Sequence, residues 1–551
     1  MRIALYQLNY IINDIHGNLL QIKEALAEAK TNKIDLAVFS ELSICGYPPQ
    51  DLLEREDFVG QCIIAIKELA QECKGIAAIV GGPSINPAGS GKQLFNSAFF
   101  LANGVIADVH HKGLLPTYDI FDEYRYFEPC KDFHTTDYKG LKLAITICED
   151  LWDDQPVTTR FGKSKLYPVS PMEELSTQSP DLIINIAASP FSYDISQRRQ
   201  EVFLNNVKRY KLPVIYVNQV GANTDLVFDG SSMVVNGVGE IVHQLKSFSL
   251  DSIAIDTKML SSIKPLPKIQ ENRIEKIHSA LILGIKDYFS KMGFKKATIG
   301  LSGGIDSAVV LCLAAEAIGH KNIRVALMPS RYSSDHSVKD AIDLATNLNI
   351  HYDIIGIEPM VSSFDSTLAY MFEGTKTDVT EENIQARIRG TILMAISNKF
   401  GHLLLNTTNK SEAAVGYGTL YGDMNGAISV LGDIYKTDVF QLANYINRHQ
   451  QIIPLNTIAK PPSAELRPDQ KDTDSLPDYS ILDAILFKYI EQQASISEIV
   501  AEGYDEVLVK KIVYLVNTNE YKRFQFAPVI RVSSKAFGYG RRIPLVARFV
   551  K

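Results

Sequence analysis

The chain has 551 residues, a formal charge of −7, 46% hydrophobic and 22% charged residues, a globular composition too long for one ordinary core. Two domains of roughly 200–280 residues are expected. The acidic balance offers no clustered basic face for nucleic acid, and no apolar run reaches the ~18 residues of a membrane span. The six cysteines (Cys45, Cys62, Cys73, Cys130, Cys148, Cys312) are scattered without C-x-x-C spacing, which argues against a zinc site or disulfide framework and for a reducing compartment. The N-terminus MRIALYQLNY alternates like a strand and lacks an apolar signal core. A cytoplasmic location is expected, with neither membrane nor nucleic acid as partner.

Arg2–Leu8 reads as a strand, after which Ile15, Leu19, Ile22, Leu26 and Ala29 recur at helical spacing. Ile34–Ser40, Gly75–Pro83, Leu94–Ala102, Leu141–Ile147, Asp181–Ala187 and Pro213–Asn218 read as further strands. Many strands with few helices predict a layered α/β sandwich over residues 1–257. The Lys/Pro-rich stretch that follows, Lys258–Lys268, is the centre of a linker assigned to 258–272.

The texture then changes for residues 273–551. Glu271–Met292 reads as a helix, Lys296–Leu301 as a strand, Ser307–Ile318 as an Ala-rich helix closed by Gly319, and Arg324–Met328 as a strand. That βαβ unit predicts a Rossmann-like parallel sheet with ligands at the carboxyl ends of its strands. Lys460–Pro477 is rich in Pro, Ser and Asp without periodicity, either a mobile lid or an ordinary surface loop.

Between the strand and the helix lies GLSGGIDS, formed by Gly300, Leu301, Ser302, Gly303, Gly304, Ile305, Asp306 and Ser307. Its glycines admit close backbone approach to a polyanion, and the helix that follows offers free N–H groups and a positive dipole end. Ser302 and Ser307 add hydroxyls, and Asp306 can hold magnesium. The string lacks the Lys-Ser/Thr ending of a Walker loop. It resembles the pyrophosphatase loop of ATP-pyrophosphate-releasing enzymes, which implies attack on the α-phosphate of ATP and an adenylate intermediate.

MPSRYSSDHS (328–337), EENIQARIRG (381–390) and LNTTNKSE (405–412) follow in an order that resembles NAD synthetases. That resemblance places Asp306 and Glu412 on Mg2+. It places Thr407, Lys436 and, from the lid, Ser463 on ATP, and Asn383, Glu412 and Lys522 on deamido-NAD (nicotinic acid adenine dinucleotide).

In the first half, Glu41 within SELSICGYPP, Lys112 within HKGLLPTYD and Cys148 within ICEDLW all stand where strands run out. One pole of a sandwich would gather them as base, oxyanion stabiliser and nucleophile. These contexts resemble the carbon–nitrogen hydrolase (nitrilase) superfamily over about the first 255 residues, which implies an α-β-β-α sandwich. In the synthetase branch, Tyr118, Glu149 and Ser189 match positions lining a glutamine pocket. Within ASPFSYDISQRR, Ile195 stands where the family usually has a basic residue. Either Arg198 or Arg199 holds the glutamine carboxylate, or glutamine is recognised differently.

Together the two halves resemble the glutamine-dependent NAD synthetases. The resemblance implies a C–N ligase that amidates deamido-NAD with ammonia from glutamine, releasing AMP and pyrophosphate. It also implies a homo-oligomer, at least a dimer through synthetase domains. Making ammonia beside its acceptor keeps it from becoming ammonium, and an internal channel with coupled turnover is expected. A GMP-synthetase-like amidotransferase would need a Cys-His-Glu glutaminase, which the first half does not resemble. A tRNA-modifying enzyme fits the acidic balance poorly, and a decayed binding protein would not keep both motifs.

Overall fold

The computed structural model describes residues 1–153, 156–159, 162–267, 272–468 and 470–549, those at 156–165 by backbone alone. The chain divides into two compact units, Met1–Gln270 and Glu271–Lys551. Of the expected linker 258–272, residues 268–271 lie outside the described residues. Its beginning folds with the first unit: Leu260 is buried in that core, and the Leu266 N–H donates to the Ile241 carbonyl at 2.8 Å.

The first unit holds two six-stranded sheets. The first sheet places Asp251–Asp256, Arg2–Gln7, Leu36–Val38, Ala77–Ile85, Leu94–Ala102 and Val105–His111 side by side. The second runs Ile241–Gln244, Met233–Val235, Val214–Asn218, Leu182–Ala187, Leu141–Ile147 and Thr136–Tyr138. Strand alternation divides the first sheet between two cores. Ile3, Leu5, Leu36, Val38, Ala77 and Ile79 meet the second sheet. Ala4, Tyr6, Ala37, Phe39, Ala78 and Val80 meet helices Ile15–Thr31 and Glu56–Glu72. On the far side, Met172 and Leu175 of helix Pro171–Thr177 and Val202, Phe203 and Val207 of helix Ile195–Tyr210 cover the second sheet. The layering is α-β-β-α, as expected.

The second unit is built on a five-stranded parallel sheet in the order His351–Ile354, Ile323–Leu327, Ala297–Gly300, Leu403–Asn406, Ile428–Ser429. Chain order reverses between Ala297–Gly300 and Leu403–Asn406, the switch point at which open α/β sheets bind ligands. Helix Ile305–Ile318 is apolar from Ala308 to Ala315, with Ile305 and Ser307 to Ala314 buried, which marks it as a core helix. Among the described residues, no helix is long and apolar enough to cross a membrane.

Candidate functional site

Glu41, Lys112 and Cys148 come together in the first unit. Lys112 follows the edge strand Val105–His111 and is wholly buried. Its Nζ donates to Glu41 Oε1 at 2.7 Å and to Glu123 Oε1 and Oε2 at 2.9 and 2.8 Å. Burial would strip its proton, but the charges of Glu123 and Glu41 outweigh burial and hold its pKa well above the usual value. Glu41 Oε1 also accepts from Asn96 Nδ2 at 2.7 Å, and its Oε2 from the Ala188 N–H at 2.9 Å. Glu123 accepts from the Tyr47 hydroxyl at 2.9 Å.

Cys148 ends the strand Leu141–Ile147 and opens a single turn, Cys148–Leu151. Its backbone is left-handed, φ +43°, a conformation that costs a non-glycine residue about 1–3 kcal/mol and turns it sharply out of the strand. Asp150 holds the turn: its carboxylate accepts from Ile147 N at 3.0 Å and from Gly113 N and Leu114 N at 2.9 Å. The stretch after Lys112 is thus tied to the cysteine's own turn. Burial raises the Cys148 thiol pKa well above its ordinary range; the Glu41 charge adds to this and Lys112 opposes it. A sulfur so placed would need a base beside it to act as a nucleophile.

Beside it, Glu149 accepts from the Tyr118 hydroxyl at 2.9 and 3.1 Å and from the Tyr167 hydroxyl at 3.0 Å, and burial pushes its pKa up to about 7. Ser189 donates its N–H to Asn218 Oδ1 at 2.9 Å and its hydroxyl accepts from Arg199 Nη2 at 3.3 Å. Arg199 is buried against Asp229 through two 3.1 Å bonds, whereas Arg198 is exposed and Ile195 begins their shared helix. Arg199 is therefore already committed to a protein carboxylate.

Sequence reasoning missed Glu123, Asn96, Tyr47, Asp150 and Tyr167. Asp150 was within reach, two residues past the cysteine. Glu123 lies in an acidic and aromatic run, FDEYRYFEP, with nothing local to mark it.

In the second unit the GLSGGIDS loop joins strand Ala297–Gly300 to helix Ile305–Ile318, with Gly304 as N-cap. Gly303 has φ +82°, and a Cβ there would sit 2.2 Å from the Ser337 carbonyl oxygen, so no other residue fits. Ser302 Oγ accepts from Gly304 N at 3.2 Å and lies 3.2 Å from Ser307 Oγ. Two cavities open here. One of about 250 Å³ is lined by Gly300, Leu301, Met328, Arg389, Thr407 and Ser463 among others. The second, about 740 Å³, takes in Gly304, Ile305, Asp306, Ser307, Glu412, Lys436 and again Thr407 and Ser463.

Asp306 pairs with the Lys436 ammonium and accepts from Asn409 Nδ2 at 2.9 Å. Glu412 Oε1 lies 3.5 Å from Lys436 Nζ, and Asn409 and Glu412 cap each other at the start of helix Lys410–Val415. Burial and then the Asp306 charge raise the Glu412 pKa to about 8, against the pull of Lys436. Two carboxylates sharing one ammonium suit a divalent cation, which would relieve that repulsion and complete its oxygen shell from phosphate.

Ser463 lies in the segment whose Glu465 accepts from the Ser334 and Ser337 hydroxyls at 2.7 Å. Asn383 and Lys522 gather instead around residues 416–419. Thr419 Oγ1 donates to Asn383 Oδ1 at 2.6 Å, and Lys522 Nζ donates to the Gly416 and Gly418 carbonyls at 2.7 and 2.8 Å.

A buried Glu–Lys–Cys set in a sandwich, within a chain that also carries a Gly- and Ser-rich strand-to-helix loop on a parallel sheet, is the arrangement expected of one class: an amide-hydrolysing unit fused to a nucleotide-activating one. The family models agree, since residues 2–267 match carbon-nitrogen hydrolase and residues 277–526 match NAD synthase. The chain is 45% identical to a glutamine-dependent NAD(+) synthetase of Synechocystis, with 99% of both chains covered, and 42% identical to that of Acinetobacter baylyi, covering 99% and 98%. The structure of a glutamine-dependent NAD+ synthetase from Acinetobacter baumannii in complex with ADP aligns with a TM-score of 0.77 at 38% identity, covering 99% of this chain and 98% of that one. The chain belongs to the glutamine-dependent NAD(+) synthetases, C–N ligases.

Proposed function

We propose that the first unit hydrolyses glutamine at Cys148 and the second amidates deamido-NAD through an adenylate. Glu41 takes the thiol proton of Cys148, and the thiolate adds to the glutamine amide carbon. Lys112, kept charged by its two carboxylates, stabilises the oxyanion. Ammonia departs with the proton returned by Glu41, leaving a thioester that water cleaves to glutamate. Glu149, ionised, faces the α-ammonium of glutamine, with Tyr118 and Ser189 lining the same pocket.

In the second unit the N–H groups and hydroxyls of Gly300 to Ser307 hold the ATP phosphates, with Thr407 and Ser463 as further contacts. Asn383, Glu412 and Lys522 contact deamido-NAD, whose carboxylate attacks the α-phosphorus, and pyrophosphate leaves. Ammonia then attacks the acyl carbon and AMP leaves, giving the amide. Lys436 offsets charge on the departing pyrophosphate. Asp306 and Glu412 would hold Mg2+, which supplies further charge neutralisation at the phosphates.

The observation that carries this reading is the occurrence in one chain, related end to end to such synthetases, of both the buried Glu41–Lys112–Cys148 cluster and the Asp306–Lys436–Glu412 cluster beside the phosphate loop. Incubation with ATP, magnesium, deamido-NAD and glutamine tests it: NAD, AMP, pyrophosphate and glutamate are expected in equal amounts. ADP and phosphate in place of AMP and pyrophosphate would reject the adenylate.

A further inference from the structure

A second set of metal-binding side chains lies in the first unit, apart from the cysteine cluster. Asp108 and His110 stand two residues apart on the edge strand Val105–His111, so both project to one face. His134 arrives from the segment leading into Thr136–Tyr138, the edge strand of the other sheet. His134 Nε2 lies 2.9 Å from Asp108 Oδ1, and His110 Nε2 lies 3.5 Å from Asp108 Oδ2. The two imidazoles stack at 4.4 Å between centroids, 20° from parallel. One donor atom from each of the three residues falls within 4.8 Å of the others.

We propose that Asp108, His110 and His134 form a binding site for a borderline divalent transition-metal ion such as zinc, bridging the edges of the two sheets. Donors at the usual ~2.0–2.1 Å from zinc lie about 3.3 Å apart in a tetrahedron; here His134 stands 2.9 Å from Oδ1 and His110 3.5 Å from Oδ2, with one donor from each residue within 4.8 Å of the others, so a small turn of the side chains closes the set on one ion. Two neutral imidazoles and one carboxylate suit zinc and its neighbours, whereas magnesium and calcium prefer oxygen donors. His134 is 48% and Asp108 27% exposed while His110 is 5% exposed, which leaves an entry path and room for a water as fourth ligand.

The carboxylate is already oriented. Asp108 Oδ1 accepts from its neighbour Val109 N at 2.9 Å, and Oδ2 accepts from the Thr136 hydroxyl at 2.6 Å. That hydroxyl is 2.7 Å from His110 Nε2. Such outer hydrogen bonds are what hold first-rank metal ligands in place. Binding displaces the proton between His134 and Asp108 and also the Nε2 proton of His110, which donates to the Thr136 oxygen because the hydroxyl's own proton goes to Asp108.

The test is a titration of the chelator-stripped full chain with Co2+, followed by visible absorption, and with Zn2+ by calorimetry. Expected are one site per chain with ligand-field bands of nitrogen and oxygen donors, no thiolate charge-transfer band, and binding at least tenfold weaker in His134→Ala and Asp108→Asn. His134 is half exposed, so its variant should melt within a few degrees of the parent in the absence of metal and lack the upward shift that zinc gives the parent. No binding, or equal binding by parent and His134→Ala, would overturn the assignment and leave the cluster a hydrogen-bonded network.

Discussion

Lys112 shows how a single residue sets the chemistry around it. An ammonium with no exposure would lose its proton to desolvation, yet two carboxylates within 2.9 Å keep it charged. Burial holds the pKa of the Cys148 thiol well above its ordinary range, so in the proposed reaction the nucleophile is made during turnover by Glu41. Cys148→Ala should therefore lower glutamine-dependent NAD formation by at least about a thousandfold, while synthesis driven by high ammonium stays within about twofold; parallel assays with the two donors read this directly. Glu149 supplies a pH dependence. Burial raises its pKa to about 7, so it is neutral below that pH and a carboxylate above it. If it faces the glutamine ammonium, KM for glutamine should rise about tenfold from pH 8 to pH 6 with kcat little changed. Glu149→Gln should show a high KM that is flat across the same range; a slope that survives in that variant would assign the titration elsewhere.

At the scale of elements, the phosphate loop is where local sequence and structure agree most closely. Gly303→Ala places a methyl 2.2 Å from the Ser337 carbonyl at φ +82°, which should destabilise the second unit by about 1–3 kcal/mol. It should cut ammonium-dependent NAD synthesis at least tenfold and leave basal glutamine hydrolysis intact; an unchanged synthesis rate would mean the loop does not approach a phosphate. Strands 94–102 and 141–147 read from their apolar runs as they stand, because each is buried on both faces and bounded by turns. The run Ile34–Ser40 shortens to Leu36–Val38, since only its centre pairs with both neighbours. The helix expected from Ser307 starts at Ile305, because Gly304 already has an extended N-cap conformation.

The candidate site was legible only where a motif surrounded each residue. Glu41, Lys112, Cys148 and Asp306 sit in such strings. Glu123 and Asn96, from a turn and a neighbouring strand, reach Lys112 and Glu41 only through the tertiary fold. Arg199 shows the converse: its place in the sequence made it a candidate for the glutamine carboxylate, yet it is engaged by Asp229 from a distant strand.

On the proposed function, one unit makes the nucleophile and the other makes its acceptor. Ammonia released early becomes ammonium at neutral pH and is lost, so a chain carrying both activities gains from hydrolysing glutamine only once the adenylate exists. Saturating ATP and deamido-NAD should then raise the rate of glutamate release well above that with glutamine alone. Asp306→Ala separates the two parts of this expectation. Asp306 pairs with Lys436 and Asn409 beside the phosphate loop, and its loss should stop adenylate formation with either nitrogen donor. Basal glutamine hydrolysis should persist in this variant, because Cys148 and its partners belong to the other unit, but its stimulation by ATP and deamido-NAD should vanish. Stimulation that survives in Asp306→Ala would show that substrate binding alone, without adenylate formation, triggers the glutaminase. A parent enzyme with no stimulation at all would show that the two units work independently and that their fusion serves proximity alone.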